Sequence, residues 1–324
     1  MLVLLASLAC TVDYGIHDLQ DLSQAPLGGD MVRGRICDPG GGWVVGARVW
    51  IDVGDRIIES ETGADGWFTL TGVPDGDHTV QVKKGSFSTS FPVTVDGAGA
   101  EVDAGECLDP ESVEIAVIAG DYDSVEQILD NMGLEYDFYP MEQTKNLVLD
   151  LDKMAQYDIL FFNCGANDLW MEERPEVGAN LKAYVAQGGG VYASDWAYQF
   201  VEAAVPGGIR FFGNDGMAYD AAVGMEGHIQ ADVLDGAMQQ VVGETANLTY
   251  DLGGWVVPLE TSGRVLIEGP ASLDPWMGGS LDGVQPLAVE LSHGQGTFIF
   301  TTFHNEQQLT LNMEALLREM ILSL

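Results

Sequence analysis

Residues 188–202 read GGGVYASDWAYQFVE. Glycines lead into a short β-prone run, and a helix-like segment follows at once. Strand, sharp turn and helix in that order make a nucleophile elbow, in which one side chain stands at the tip of a tight bend. The bend crowds its neighbours, so the positions two before and two after the tip must be small. With Ser194 at the tip those positions would be Tyr192 and Trp196; with Asp195 they are Ala193 and Ala197. The pattern therefore predicts Asp195 at the tip, with Ser194 pointing back into the sheet or capping the next helix.

A second reactive stretch, Thr301–Glu306 (TTFHNE), follows the apolar run GTFIF. His304 with Glu306 two residues on supplies a base and a group to orient it. Together, Asp195, His304 and Glu306 suit three roles. They could do acid–base or covalent carboxylate chemistry, hold a divalent metal through one imidazole and two carboxylates, or line a pocket that only binds. The last is the leading expectation, with no cofactor and no metal assigned. Gly165, Ala166 and Asn167, after the strand YDILFFNCG, offer backbone N–H donors to such a pocket. Trp170, Trp196, Trp255 and Trp276 lie in or beside loops and could stack on a sugar. His78, His228 and His293 read as structural, and Asn214, Asp215 and Asp220 as a solvated loop.

Several elements must position these groups. From about residue 113 the sequence runs VEIAVIAGD, SVEQILDNMG, EYDFYP, YDILFFNCG, PEVGANLKAYVAQGG and GGVYAS. Apolar strands thus alternate with amphipathic helices. HIQADVL, RVLIEG, PLAVELS and GTFIFTTF follow as strands, and EQQLTLNMEALLREMIL as a closing helix. That alternation predicts an α/β unit over residues 112–324 with a mostly parallel sheet covered on both faces. In such sheets, sites lie at the carboxyl ends of the strands.

YDILFFNCG, NLKAYVAQGGGVYASDWA and GTFIFTTFHNE together resemble the class I glutamine amidotransferase-like fold, in particular its trehalose-utilisation (ThuA-like) branch. The resemblance implies a flavodoxin-like, three-layer domain. In its catalytic members the elbow carries cysteine, and an H-x-E motif after a late strand completes the site. His304 and Glu306 match that motif, but Asp195 stands in the cysteine's place. A carboxylate cannot form the thioester, so glutaminase activity is not expected. Cys164, on a different strand, reads as a buried small hydrophobe.

Upstream, residues 31–105 alternate in short runs (MVRGRICD, ARVWIDV, RIIESETG, GWFTLTGV, HTVQVKKG, FPVTVDG) divided by DPGG, GADG and VPDGD turns. This predicts a small all-β sandwich. The phrases VRGRICD, GARVWI and ETGADGWFTLTGVPDGDHTVQV resemble the carboxypeptidase regulatory-like (transthyretin-like) module, which implies a non-catalytic spacer or adhesion element. Residues 11–30 are polar, with Pro26 and two glycines, and suit a tether.

The first ten residues, MLVLLASLAC, resemble a bacterial lipoprotein signal. The resemblance implies lipidation of Cys10 and a membrane partner reached through that anchor, in the cell envelope. Export makes the remaining cysteines readable: Cys37 and Cys107 bracket the sandwich and can pair. Fifty acidic against 13 basic residues give a formal charge of −37. Such a field repels phosphates, which argues against nucleic acid as a partner. A small carbohydrate-like ligand is the expected partner, and oligomeric state stays open.

Overall fold

The computed structural model describes residues 27–102, 106–166, 173–213, 220–274, 281, 283–304 and 310–324. Cys10, Asn167, Trp170, Asn214, Asp215, Trp276 and Glu306 lie outside the described residues.

The described residues open with eight strands: β1 (Met31–Cys37), β2 (Arg48–Asp52), β3 (Ile57–Glu61), β4 (Trp67–Thr71), β5 (Gly76–Lys84), β6 (Phe87–Val95), β7 (Ala100–Glu101) and β8 (Glu106–Cys107). They form two sheets, β4-β1-β7 with β8 alongside β1, and β3-β2-β5-β6. Alternate residues such as Val49, Ile51, Val80 and Val82 are fully buried between them, as period-two strands require. A disulfide joins Cys37 to Cys107, where β1 and β8 run side by side.

The second unit contributes β9 (Ile115–Ile118), α1 (Glu126–Met132), β10 (Asp137–Tyr139), α2 (Thr144–Val148), α3 (Leu151–Met154), β11 (Ile159–Phe162), α4 (Arg174–Ala186), β12 (Gly190–Ser194) and α5 (Tyr198–Ala204). There follow β13 (Ile209–Phe211), β14 (Ala222–Gly224), β15 (Gly227–Val233), α6 (Gly236–Val242), β16 (Thr245–Tyr250), β17 (Trp255–Val256) and β18 (Pro258–Thr261). β19 (Arg264–Gly269), β20 (Gln285–His293), β21 (Gly296–Thr301) and α7 (Leu311–Leu322) complete it. One sheet runs β10-β9-β11-β12-β21-β20-β19-β15-β16, while β13/β18 and β14/β17 form short antiparallel ribbons beside it.

Every residue of β9, β11 and β12 is buried, because helices lie on both sides. Ile115, Val117, Ile159, Phe161 and Ile299 face α1 and α7. Their neighbours Ala116, Ile118, Leu160, Phe162 and Phe298 face α2 to α5. Where α1 ends, Gly133 takes φ +69° and its N–H returns to Asp130 and Leu129, a left-handed cap suited to glycine.

The sheet is mixed, which corrects the mostly parallel expectation. β10, β9, β11, β12 and β21 are parallel, but β20, β19, β15 and β16 alternate in direction. Parallel neighbours need a crossover of about a dozen residues or more. Between β20 and β21 only the turn at Gly294–Gln295 is available, so that pair can only be a hairpin.

The sandwich is in contact with the second unit. Its β5–β6 hairpin receives the end of the chain: Ser86 Oγ donates to the Leu324 carbonyl at 3.0 Å. Lys84 meets Glu319 at 2.7 Å with both side chains nearly buried, and Arg318 donates to both oxygens of Asp38.

Candidate functional site

The carboxyl ends of three adjacent parallel strands converge here: β11 leads to Cys164, β12 to Asp195 and β21 to His304. Asp195 has φ +45°, the one positive φ among described non-glycine residues, and it begins a 3₁₀ turn that passes directly into α5. Asp tolerates this left-handed conformation better than most residues because its short side chain can bond locally. Ala193 and Ala197 flank it and are fully buried. An elbow with Asp195 at its tip is thus the local geometry.

Its carboxylate is fixed from two sides. Oδ1 accepts the Val256 N–H at 2.7 Å, and Oδ2 accepts from the Cys164 thiol at 3.5 Å. Burial pushes its pKa up to about 7, opposed by those two hydrogen bonds and assisted by the nearby charge of Asp123. Cys164 is 1% exposed. Burial drives its thiol pKa strongly upward and the Asp195 charge adds to this, while a hydrogen bond from the Trp196 backbone opposes it.

Ser194 faces away from the cavity. Its hydroxyl donates to Asp123 Oδ2 at 2.5 Å and accepts the Cys164 N–H at 2.9 Å, so it ties the elbow to the ends of β9 and β11 instead of capping α5. Its direction into the sheet matches one of the two expected orientations.

The proposed backbone donors are placed differently from the expectation. The Ala166 N–H donates to the Asn163 carbonyl at 2.9 Å, which closes a turn and engages that donor away from the pocket. Gly165 adopts φ +94°, and a Cβ there would lie 2.5 Å from the Asp121 nitrogen. Its smallness lets two strand-end loops touch; neither residue lines the cavity.

His304 does line it. The cavity, of about 180 Å³, is bounded by Tyr122, Cys164, Asp195, Trp196, Thr249–Trp255, Phe303 and His304. Tyr250 and Trp255 stack with centroids 4.2 Å apart, and Tyr122 meets Trp196 edge-on at 5.4 Å. The 251–254 loop is pinned to the elbow: Trp196 Nε1 donates to Gly254 O at 2.8 Å, next to the Val256 bond already described. Beneath His304, Thr302 Oγ1 and Tyr250 OH lie 2.6 Å apart, and Tyr192 OH and Thr301 Oγ1 2.9 Å apart.

One ligand atom each from Cys164, Asp195 and His304 falls within a 4.8 Å cluster. Cys164 is buried, as expected of a small hydrophobe, yet its thiol reaches the elbow carboxylate. A signal of this was present in the sequence, since Cys164 ends the strand beside the elbow strand. Tyr122, Tyr250 and Asp251 carried no comparable signal. His78 contacts only the Pro74 carbonyl at 2.7 Å and His228 only Thr249 among the bonds seen; neither lines the cavity.

Residues 31–104 match the carboxypeptidase regulatory-like domain family. No curated protein sequence matches the chain. Among solved structures it is similar to two Salmonella typhimurium proteins. Cytoplasmic protein STM3548 is 15% identical over 64% of this chain and 97% of that one, with a TM-score of 0.39. Cytoplasmic protein STM1381, from strain LT2, is 15% identical over 62% and 92%, with a TM-score of 0.43. A β-galactosidase from Bacillus circulans sp. alkalophilus is 12% identical over 66% of this chain and 30% of its own, with a TM-score of 0.37. The carboxypeptidase regulatory-like domain accounts for the β1–β7 region; the cavity lies wholly in the unit that follows it.

Proposed function

We propose that the cavity binds a small polar, carbohydrate-like ligand without glutaminase activity, in a unit of the flavodoxin-like, class I amidotransferase type spanning residues 112–324. The observation that carries this reading is the lining. Aromatic faces from Tyr122, Trp196, Tyr250 and Trp255 stand beside Asp195, Asp251 and His304, and no Lys or Arg lines the cavity among the described residues. Aromatic walls accept the apolar face of a sugar ring, and a few polar groups fix its hydroxyls. An acidic, lysine-free wall disfavours anionic ligands. The elbow supplies a carboxylate where glutamine hydrolysis needs a thiolate.

The test is a calorimetric titration of the full chain with a panel of neutral monosaccharides, alongside an assay for ammonia release from glutamine. Saturable sugar binding that Trp255→Ala abolishes supports the reading. Ammonia release that depends on Cys164 refutes it.

The second reading is a hydrolase using Asp195, His304 and Glu306. Asp195 and His304 offer atoms within 4.8 Å of each other, a separation that one bridging water can span for acid–base work. Turnover of a glycoside or ester lost in both Asp195→Asn and His304→Ala would establish it. In either case the chain is proposed to be an envelope lipoprotein held by Cys10, which mass spectrometry of the mature N-terminus tests.

A further inference from the structure

We propose that Cys164, Asp195 and His304 form a zinc-type metal site opening into the cavity. The inference does not depend on which organic ligand the pocket takes.

The donor set is the first argument. Thiolate, imidazole and carboxylate together suit Zn²⁺, whereas Ca²⁺ and Mg²⁺ take oxygen ligands. The three donors come from the ends of three neighbouring strands, within 4.8 Å of one another. Tetrahedral zinc with bonds of about 2.0–2.3 Å spaces its ligand atoms about 3.3–3.8 Å apart. Cys164 Sγ and Asp195 Oδ2 already stand at 3.5 Å, and a His304 ring nitrogen lies within the same 4.8 Å cluster.

Charge is the second argument. Asp195 and Asp251 both line the cavity, so its wall is acidic where a cation would sit. No Lys or Arg among the described lining residues competes for the position.

Outer bonds supply the third. Val256 N–H holds Asp195 Oδ1 and so turns Oδ2 toward Cys164, and the Trp196 backbone N–H bonds the Cys164 sulfur. Bonds of this kind orient metal ligands. Three protein ligands facing an open cavity leave the fourth position to water or a bound molecule, the arrangement of exchangeable rather than closed sites.

The experiment uses the full chain, stripped with chelator and titrated with Co²⁺ and then Zn²⁺. The expected result is one equivalent of Co²⁺ with an intense thiolate-to-cobalt charge-transfer absorption, which Zn²⁺ then bleaches. Cys164→Ser should remove that absorption, and His304→Ala should weaken Zn²⁺ binding by at least about 100-fold, since loss of outer-shell partners alone costs about 10–100-fold. If Cys164→Ser does not fold, His304→Ala decides the question, because that side chain sits at the cavity edge. A cobalt spectrum without the charge-transfer band, or one unchanged in Cys164→Ser, overturns the site. So does Zn²⁺ affinity unaffected in folded His304→Ala. Sugar titrations of the stripped protein keep the two readings apart: binding there leaves the pocket reading standing even where the metal titration fails.

Discussion

Cys164 Sγ lies 3.5 Å from Asp195 Oδ2, although 31 residues separate them in the chain. The contact exists because β11 and β12 are adjacent and parallel, so the residues just beyond their carboxyl ends emerge side by side.

Asp195 combines a left-handed backbone with a buried acceptor. Asp195→Asn keeps both, and should stay within about 1 kcal/mol of the parent. Asp195→Ala meets a left-handed cost of roughly 1–2 kcal/mol and leaves the Val256 N–H unsatisfied, at about 1–3 kcal/mol. Urea denaturation of the two variants measures the difference. Equal midpoints would contradict the role given to the carboxylate.

Lys84 and Glu319 join the two units through a nearly buried ion pair. Burial raises the Glu319 pKa above its ordinary 4.5, with Lys84 opposing that rise. A carboxyl raised in the fold favours the fold most below its ordinary range, and that contribution is lost as pH climbs through the folded value. Lys84→Met removes the opposition, so its cost should be largest at neutral pH, about 3–5 kcal/mol for a buried charge left alone. It should shrink as the pH falls and Glu319 takes up a proton. Denaturation midpoints followed from neutral to acid pH test the sign.

The Cys37–Cys107 bridge closes a loop of 70 residues. Its loss should destabilise the fold by about 2–5 kcal/mol. Melting curves of the parent against Cys37→Ala/Cys107→Ala, with no reductant present, check this.

Cys164 is inaccessible and its thiol is disfavoured as thiolate. In metal-free native protein it should react with iodoacetamide far more slowly than in urea. Peptide mass spectrometry separates it from Cys10. Rapid native labelling of Cys164 would instead mean a cavity floor more open than described.

Much of the α/β unit was legible in advance. IAVI, ILFF and GVYAS are apolar without alternation, the pattern of strands buried on both faces, and the residue sizes around 195 singled out the elbow tip. The sandwich was legible from its turns. TANLTY, which became β16, gave no strand signal strong enough to register. Its neighbour β15 did, but neither strand's direction could be read from its own residues.

The sequence by itself determined which side chain tops the bend, because steric room two residues either way is a local property. It also determined the two-unit succession, because hydrophobic period is local. Only the tertiary structure decided that Cys164 belongs to the site, that a loop from the antiparallel half walls the cavity, and that the sandwich grips the chain's last helix. Those relationships depend on strand order, and order in a sheet is set by long-range packing that no short window of residues encodes.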